Sequence, residues 1–149
     1  MINQDKYFKL ILSDEQLCFL SSSRKLDRMR CLFAMIRLAV LEQTPYHKDT
    51  GFSTTLNVGQ FVITETELAN LWKCSRNAAS NLLDEFNRLK LISSVQGRRT
   101  SVHTILFVSA WIVDNKQILN PACKELIPSG ISAKSGAEED AQSNTNVNN

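Results

Sequence analysis

Residues 73–91, KCSRNAASNLLDEFNRLKL, combine an ordinary apolar helix face with an unusual polar one. Apolar residues recur at the spacing of an amphipathic helix: Ala79, Leu82, Leu83, Phe86 and Leu89. The other side carries short polar and charged residues: Asn77, Ser80, Asn81, Asp84 and Arg88. Asn and Ser are indifferent helix formers, because their side chains compete for backbone hydrogen bonds, and a merely solvated face more often uses Glu, Lys or Gln. This face is therefore expected to bind a partner.

The side chains of this face have the chemistry that reads base edges in the major groove of DNA. Asn77 and Asn81 lie one turn apart, and an Asn side chain can pair with both N6 and N7 of adenine. Ser80 can contact a base or a phosphate. Arg76, at the positive N-terminal end of the helix, suits a phosphate. The alternative reading is a plain solvated surface.

Three further charged residues belong to the same predicted surface. Asp84 repels phosphate, so it either accepts a hydrogen bond from a cytosine amino group or pairs with Arg88 four residues later. Lys73 stands in a tight turn where Gly is usual, and a Lys in the left-handed conformation costs on the order of 1 kcal/mol.

The segment that follows, VQGRRTSV, predicts a hairpin with Arg98 and Arg99 at its tip and Gly97 available for a positive φ. The two arginines are expected to contact the sugar-phosphate backbone or the adjacent minor groove. The alternative is that they only keep a sheet edge soluble. Residues 73–99 hold six Lys and Arg against two Asp and Glu, a net charge of +4 in a chain whose total is +2.

The elements that position these residues are marked by helix signals. Thr64 followed by Glu67 is a capping box that opens a short helix, ETELANLW, with the small residue Ala69 where a second helix can cross it. The break KCS follows, and Ser75 can cap the next helix, which is expected to run to about Lys90. Before this unit, QFVIT predicts a strand.

The flanking segments give weaker signals. An apolar stripe that includes Met29, Phe33 and Ile36 predicts a helix over residues 23–43, ended by Pro45, and PYHKDTG (45–51) is expected to be a loop. KYFKLIL (6–12) predicts a strand or an extended arm before a helical turn at SDEQLCFL. Residues 109–127 are expected to add a short helix or strand against the core.

The order of these elements predicts an α+β, mainly helical fold of the winged helix-turn-helix type: a three-helix core plus a β-hairpin wing. Residues 23–128 form the domain, residues 1–22 an N-terminal arm or extension, and residues 129–149 a disordered tail. The tail contains no aromatic and almost no aliphatic residues, so it cannot bury enough apolar surface to offset its ordering entropy.

The segment GQFVITETELANLWKCSRNAASNLLDEFNRLKLI resembles the winged-helix units at the N-termini of phage replisome organisers and DnaD-type replication proteins, and also related bacterial transcription regulators. The residues that match the family pattern are Gly59, Gln60, Thr64, Leu68, Ala69, Ser75, Arg76, Leu91 and Ile92. The resemblance covers roughly residues 26–108 and implies double-stranded DNA as a partner. In the 149 residues, no segment is expected to form the partner-binding second domain of that family.

Other classes of function have little support in the sequence. The four cysteines (Cys18, Cys31, Cys74 and Cys123) are far apart and are not grouped with His47 or His103, so no metal site is expected and the thiols are expected to be reduced. Ser75 and Ser80 have no His at a useful spacing, and His103 lies within a predicted strand of the hairpin, so no enzyme activity and no cofactor are expected. No apolar stretch reaches the length of a membrane span, and a cytoplasmic location is expected.

The sequence thus predicts a sequence-specific DNA-binding protein that regulates transcription or replication, with a mobile element as one candidate source of the regulated DNA. The alternative is a winged helix that contacts only proteins. A homodimer is a further expectation, because the modest positive charge is low for a monomeric binder. Met29, Phe33 and Ile36 could form its interface, although core packing is the commoner use of such a stripe. No small-molecule ligand is evident.

Overall fold

The computed structural model describes residues 5–22, 25–48, 51–97 and 100–123. Within these ranges the chain forms four helices and eight strands. The helices are α1 (Asp14–Ser21), α2 (Arg28–Ile36), α3 (Glu65–Trp72) and α4 (Arg76–Arg88). The strands are β1 (Lys6–Leu10), β2 (Thr44–His47), β3 (Ser53–Leu56), β4 (Gln60–Ile63), β5 (Ile92–Gln96), β6 (Ser101–Ile105), β7 (Val108–Val113) and β8 (Lys116–Leu119).

The predicted mainly helical fold class is wrong. The described chain is 34% helix and 33% strand, and its strands form three antiparallel sheets in the orders β1-β7-β8, β2-β3 and β4-β6-β5. The last sheet comes from the segments that predict a strand and a hairpin. The sheet β1-β7-β8 comes from segments for which a strand is one of two predicted alternatives, and the sheet β2-β3 includes residues expected to be a loop. A three-helix core with one hairpin therefore describes only part of the fold.

Helix α2 is shorter than the predicted helix over residues 23–43. Asp27 caps its start by accepting a hydrogen bond from the backbone N–H of Arg30 at 3.0 Å. Beyond Ile36 the backbone leaves the helix, and Val40 exchanges hydrogen bonds with the segment that leads into β4: its N–H donates to Gln60 O at 3.0 Å and its carbonyl accepts from Gly59 at 2.9 Å. These tertiary bonds override the helical periodicity of the sequence.

The segment expected to be a loop, residues 45–51, instead contributes most of strand β2. Thr44–His47 pairs antiparallel with Ser53–Leu56, and the rings of Tyr46 and Phe52 meet edge to face at a centroid distance of 6.2 Å. Pro45 is tolerated because the sheet has only two strands, so its missing N–H can face away from the partner strand.

The N-terminal strand joins the end of the described chain. β1 pairs antiparallel with β7, which places Lys6 opposite Val113 and Phe8 opposite Trp111, and β8 pairs with the other edge of β7. The prediction of a strand against the core in residues 109–127 is confirmed, and Trp111 is fully buried. Helix α1 has its own capping box, formed by Ser13 and Gln16.

One hydrophobic core joins α2, α3 and α4 to the sheet β4-β6-β5. Trp72 is central to it: its ring meets that of Phe86 edge to face at 5.9 Å, and its indole N–H donates to Cys31 O at 3.0 Å. Ile36 lies in this core and Met29 packs against it, while Phe33 stacks on Phe107 and stays 36% exposed, so most of the predicted α2 stripe is used for packing. No helix in the described ranges is both long enough and apolar enough to cross a membrane.

Gly59 allows the close approach between the entry to β4 and the last described segment. Its φ is +87°, and a Cβ placed on it would lie 3.0 Å from Asn120 Oδ1 and 3.3 Å from Trp111 Cη2. Asn120 cannot easily move, because its amide nitrogen donates to the carbonyls of Ile105 and Val108, both at 2.8 Å. Both the backbone conformation and the space therefore require glycine.

We expect Gly59→Ala to lower the free energy of unfolding by about 2 to 4 kcal/mol, because positive φ and overpacking both oppose a side chain there. Gly51→Ala is the matched control: Gly51 has a φ of +95°, but nothing lies within 4 Å of the position that a methyl group would take there. That variant should lose only about 1 kcal/mol. Urea unfolding measures both, and equal losses would refute the packing argument.

Candidate nucleic-acid interface

Helices α3 and α4, with the turn between them, begin as the sequence predicts. The Thr64 hydroxyl accepts from the N–H of Glu67 at 3.1 Å, and the Glu67 carboxylate accepts from the N–H of Thr64 at 2.9 Å. The latter hydrogen bond is the main cause that lowers the pKa of Glu67. Lys48 Nζ lies 3.5 Å from the same carboxylate and ties the end of β2 to the start of α3.

The turn between the helices has the left-handed residue that the sequence suggests. Lys73 has a φ of 57° and a ψ of 52°, and the N–H of Cys74 donates to Ala69 O at 3.0 Å. Ser75 then caps α4 by accepting from the N–H of Ala78 at 3.1 Å. Lys73 is exposed, whereas Cys74 is half-buried. The predicted cap is thus confirmed, and Lys73 takes the left-handed conformation although it departs from the usual Gly at this place.

Helix α4 presents opposite faces to the core and to solvent. Ala79, Leu82 and Phe86 are buried, and the predicted inner face is confirmed. At about 3.6 residues per turn, the side opposite them is centred on three exposed residues, namely Asn77, Asp84 and Arg88. Asn81, also exposed, lies nearer one edge and lines a shallow groove with Phe19 and Leu26, while the half-buried Ser80 lies nearer the other edge.

The alternative that Asp84 pairs with Arg88 is wrong. Arg88 instead contacts Glu85, with its Nη2 and Nε atoms 2.6 and 3.1 Å from Oε1 of that carboxylate. These hydrogen bonds lower the pKa of Glu85. Asn77, Asn81 and Asp84 make no side-chain hydrogen bond to any other part of the described chain, so their polar groups remain open to a partner.

Arg76 and Ser80 share a carboxylate that no local sequence pattern marks as part of the site. Glu65, the first residue of α3, places Oε1 3.6 Å from Arg76 Nη2 and Oε2 3.2 Å from the Ser80 hydroxyl. No short spacing indicates this contact, because the residues belong to different helices and meet only through the turn. From its position in the sequence alone, Glu65 is explained by the helix dipole.

A buried polar chain fixes α4 against the sheet. Asn87, on the last turn of α4, donates from Nδ2 to Ser94 Oγ at 3.0 Å and accepts at Oδ1 from the N–H of Ser94 at 2.9 Å. Ser94 Oγ lies 2.7 Å from His103 Nδ1, and His103 Nε2 lies 3.4 Å from Ile63 O. A carbonyl oxygen can only accept, so the Ile63 contact favours a proton on Nε2, and the Ser94 hydroxyl can then donate to Nδ1 of the neutral ring.

The hairpin β5–β6 forms beside α4 as predicted, with Ile92 opposite Ile105 and Gln96 opposite Ser101. Gly97 does not use a positive φ, contrary to expectation; its N–H donates to Thr100 O at 2.8 Å. Arg98 and Arg99 lie outside the described residues. A polar groove of about 530 Å³ separates the hairpin from α4 and the start of α3, and its lining includes Arg76, Asp84 and Ser94.

Comparisons of the chain with family models, with curated proteins and with solved structures find no significant match. The resemblance to winged-helix replication proteins therefore stays a prediction. In the described part of the chain, no three His, Cys, Asp or Glu side chains are grouped so that they could hold a metal ion. Cys18, Cys31 and Cys74 are free thiols.

His103 should make stability depend on pH. Burial lowers its pKa below the ordinary value of 6.5, and the Ile63 carbonyl opposes that shift only in part. Below about pH 6.5 the unfolded histidine gains a proton that the folded one does not, so protonation favours unfolding. Stability should fall as pH drops, by up to about 1.4 kcal/mol per pH unit until the folded pKa is reached.

Urea unfolding between pH 7.5 and pH 5.5 measures how the free energy of unfolding changes with pH. Because the slope is compared, the variants below need not have equal stability at neutral pH. His103→Gln should flatten the curve. His47→Gln, which removes the exposed histidine of β2, should leave it steep. A His103→Gln curve as steep as that of the unaltered protein would show that other groups cause the pH dependence.

Proposed function

We propose that this chain binds double-stranded DNA through the outer face of α4, with the β5–β6 hairpin contacting the neighbouring backbone, and so regulates transcription or replication. The observation that carries the proposal is the state of Asn77 and Asn81. Both are exposed amides on a helix whose other side is locked in the core, and neither is engaged by the rest of the described chain. Two amides one turn apart, on a helix that is held against the core and with no hydrogen-bond partner in the described chain, suit base edges.

The arrangement of elements also supports DNA binding. Helix α2, strand β4, helices α3 and α4 and the hairpin follow one another in the order of a winged helix, and β4 pairs with the second strand of that hairpin. In such units the second helix of the turn enters the major groove. The resemblance to phage replisome organisers and DnaD-type proteins suggests replication as one candidate process.

The charges are compatible with phosphate contacts, although two of the cations already have partners. Lys73, just before α4, and Lys90, just after it, are exposed. Arg76 contacts Glu65, and Arg88 contacts Glu85. Exposed ion pairs contribute only about 0 to 1 kcal/mol, so a phosphate can replace a carboxylate at little cost. The paired arginines therefore remain available for binding.

A protein-contact module is the second candidate, favoured by apolar side chains on the outer strands of the sheet β1-β7-β8. Tyr7 and Leu119 are 60% and 66% exposed, and Phe8 and Leu10 are about 40% exposed. Apolar groups at sheet edges suit another protein better than they suit DNA. In this alternative a partner protein contacts one of these two edge strands, and the outer face of α4 is not used.

Fluorescence anisotropy with a labelled random duplex at two salt concentrations separates the two candidates. DNA binding through phosphates gives an affinity that falls steeply as salt rises. A protein-contact module gives no binding in this assay. Absence of binding at low salt and tens of micromolar protein would overturn the proposed function.

Arg98 and Arg99 should contribute about equally to the binding of every DNA sequence. Arg98→Ala combined with Arg99→Ala is expected to weaken binding to all duplexes about equally and to lower the salt slope by up to about two, since each lost phosphate contact removes about one unit. The same titrations measure this. Unchanged affinity and slope would remove the hairpin from the interface.

Asn81→Ala should act on sequence preference alone. After a preferred site has been selected from a random duplex pool, the variant is expected to lose roughly 1 to 3 kcal/mol on that site and little on random DNA. Because Asn81 is exposed and Ala is the better helix former, thermal stability should be kept or raised slightly. A fall in melting temperature with preference intact would show that Asn81 serves the fold.

A further inference from the structure

The Glu65 carboxylate contacts two of the side chains that would bind DNA. Its oxygens lie 3.6 Å from Arg76 Nη2 and 3.2 Å from Ser80 Oγ, so one anion forms an ion pair with a guanidinium and accepts a hydrogen bond from a hydroxyl on successive turns of α4. A guanidinium and a hydroxyl converging on oxygen atoms are also the groups that bind a backbone phosphate. Glu65 thus occupies the place of a phosphate.

The fold does not need Glu65 for capping. Thr64 and Glu67 complete the capping box of α3, and Lys48 pairs with Glu67 and not with Glu65. The side chains of Glu65 and Arg76 are 43% and 67% exposed, so their contact can open without disturbing the core. The contact is therefore an exchangeable ion pair at the edge of the binding face.

We propose that Glu65 is an internal competitor of DNA: it holds Arg76 and Ser80 in the free protein and must give them up to a backbone phosphate on binding. This inference rests on the proposed function. The displaced carboxylate stays beside the phosphate and repels it, which weakens binding to every duplex. Base contacts from Asn77 and Asn81 must then supply the lost affinity. The carboxylate therefore makes binding depend more strongly on the DNA sequence.

Glu65→Gln tests the proposal, because glutamine keeps the size and the acceptor for Ser80 but removes the charge. Its affinity for a random duplex at low salt should rise by roughly two- to ten-fold, and the salt slope should steepen by up to about one as Arg76 gains a full phosphate contact. Glu42→Gln, in the segment between α2 and β2, is the control for net charge and should bind as the unaltered protein does.

A double-variant cycle shows whether the effect passes through Arg76. In an Arg76→Gln background, Glu65→Gln should bring much less gain than in the unaltered protein. Equal gains in both backgrounds, a Glu42→Gln gain as large as that of Glu65→Gln, or a Glu65→Gln affinity no higher than normal would overturn the competitor role while DNA binding stands. If no variant binds duplex DNA, the proposed function itself fails.

Discussion

The hydrogen bonds of Asn87, Ser94 and His103 hold α4 against the hairpin β5–β6, and the position of the outer face of α4 relative to the hairpin depends on them. The chain of bonds runs from the last turn of α4 through β5 and β6 to the carbonyl of Ile63 in β4, so one connected set of polar groups ties together four elements. Each group has a partner, which makes such a buried network stabilising rather than costly. His103 is the one member that can gain a proton; burial lowers its pKa, and a second ring proton would oppose the hydrogen bond from Ser94.

The outer surface of α4 is governed by a different balance. Its arginines are matched by Glu65 and Glu85, while Asn77, Asn81 and Asp84 remain unengaged within the described chain. A surface of this kind attracts polyanions weakly and offers hydrogen bonds to a partner of the right shape. For the proposed DNA binding, carboxylates close to the cations would limit affinity, and discrimination would depend on amides that make no side-chain hydrogen bond within the described residues. Neighbouring residues on one surface would then meet both demands.

Local signals predicted much of the binding unit and little of its surroundings. The Thr64 capping box, the Ser75 cap and the left-handed Lys73 depend on residues within a few positions of one another, and the structure has all three. The early end of α2 depends on Val40 meeting Gln60, and the Glu65 contacts depend on two helices crossing. The sequence does not predict strand β2, because Pro45 and a polar composition suggest a loop. In the structure, pairing with β3 satisfies the backbone hydrogen bonds of this segment. These features arise from tertiary contacts, for which short windows carry no signal.

The pairing of β1 with β7 joins segments about a hundred residues apart, since Lys6 lies opposite Val113. During synthesis β1 is therefore made long before its partner strand. Its apolar residues Tyr7, Phe8 and Leu10 stay unpaired while the central helices and hairpins form from contacts closer in sequence. Loops of this length close slowly, so completion of this sheet is expected to be a late step of folding. A ribosome stalled before Val108 would hold a chain that contains the whole α3–α4 unit and an open first strand, and such a strand is a target for chaperones.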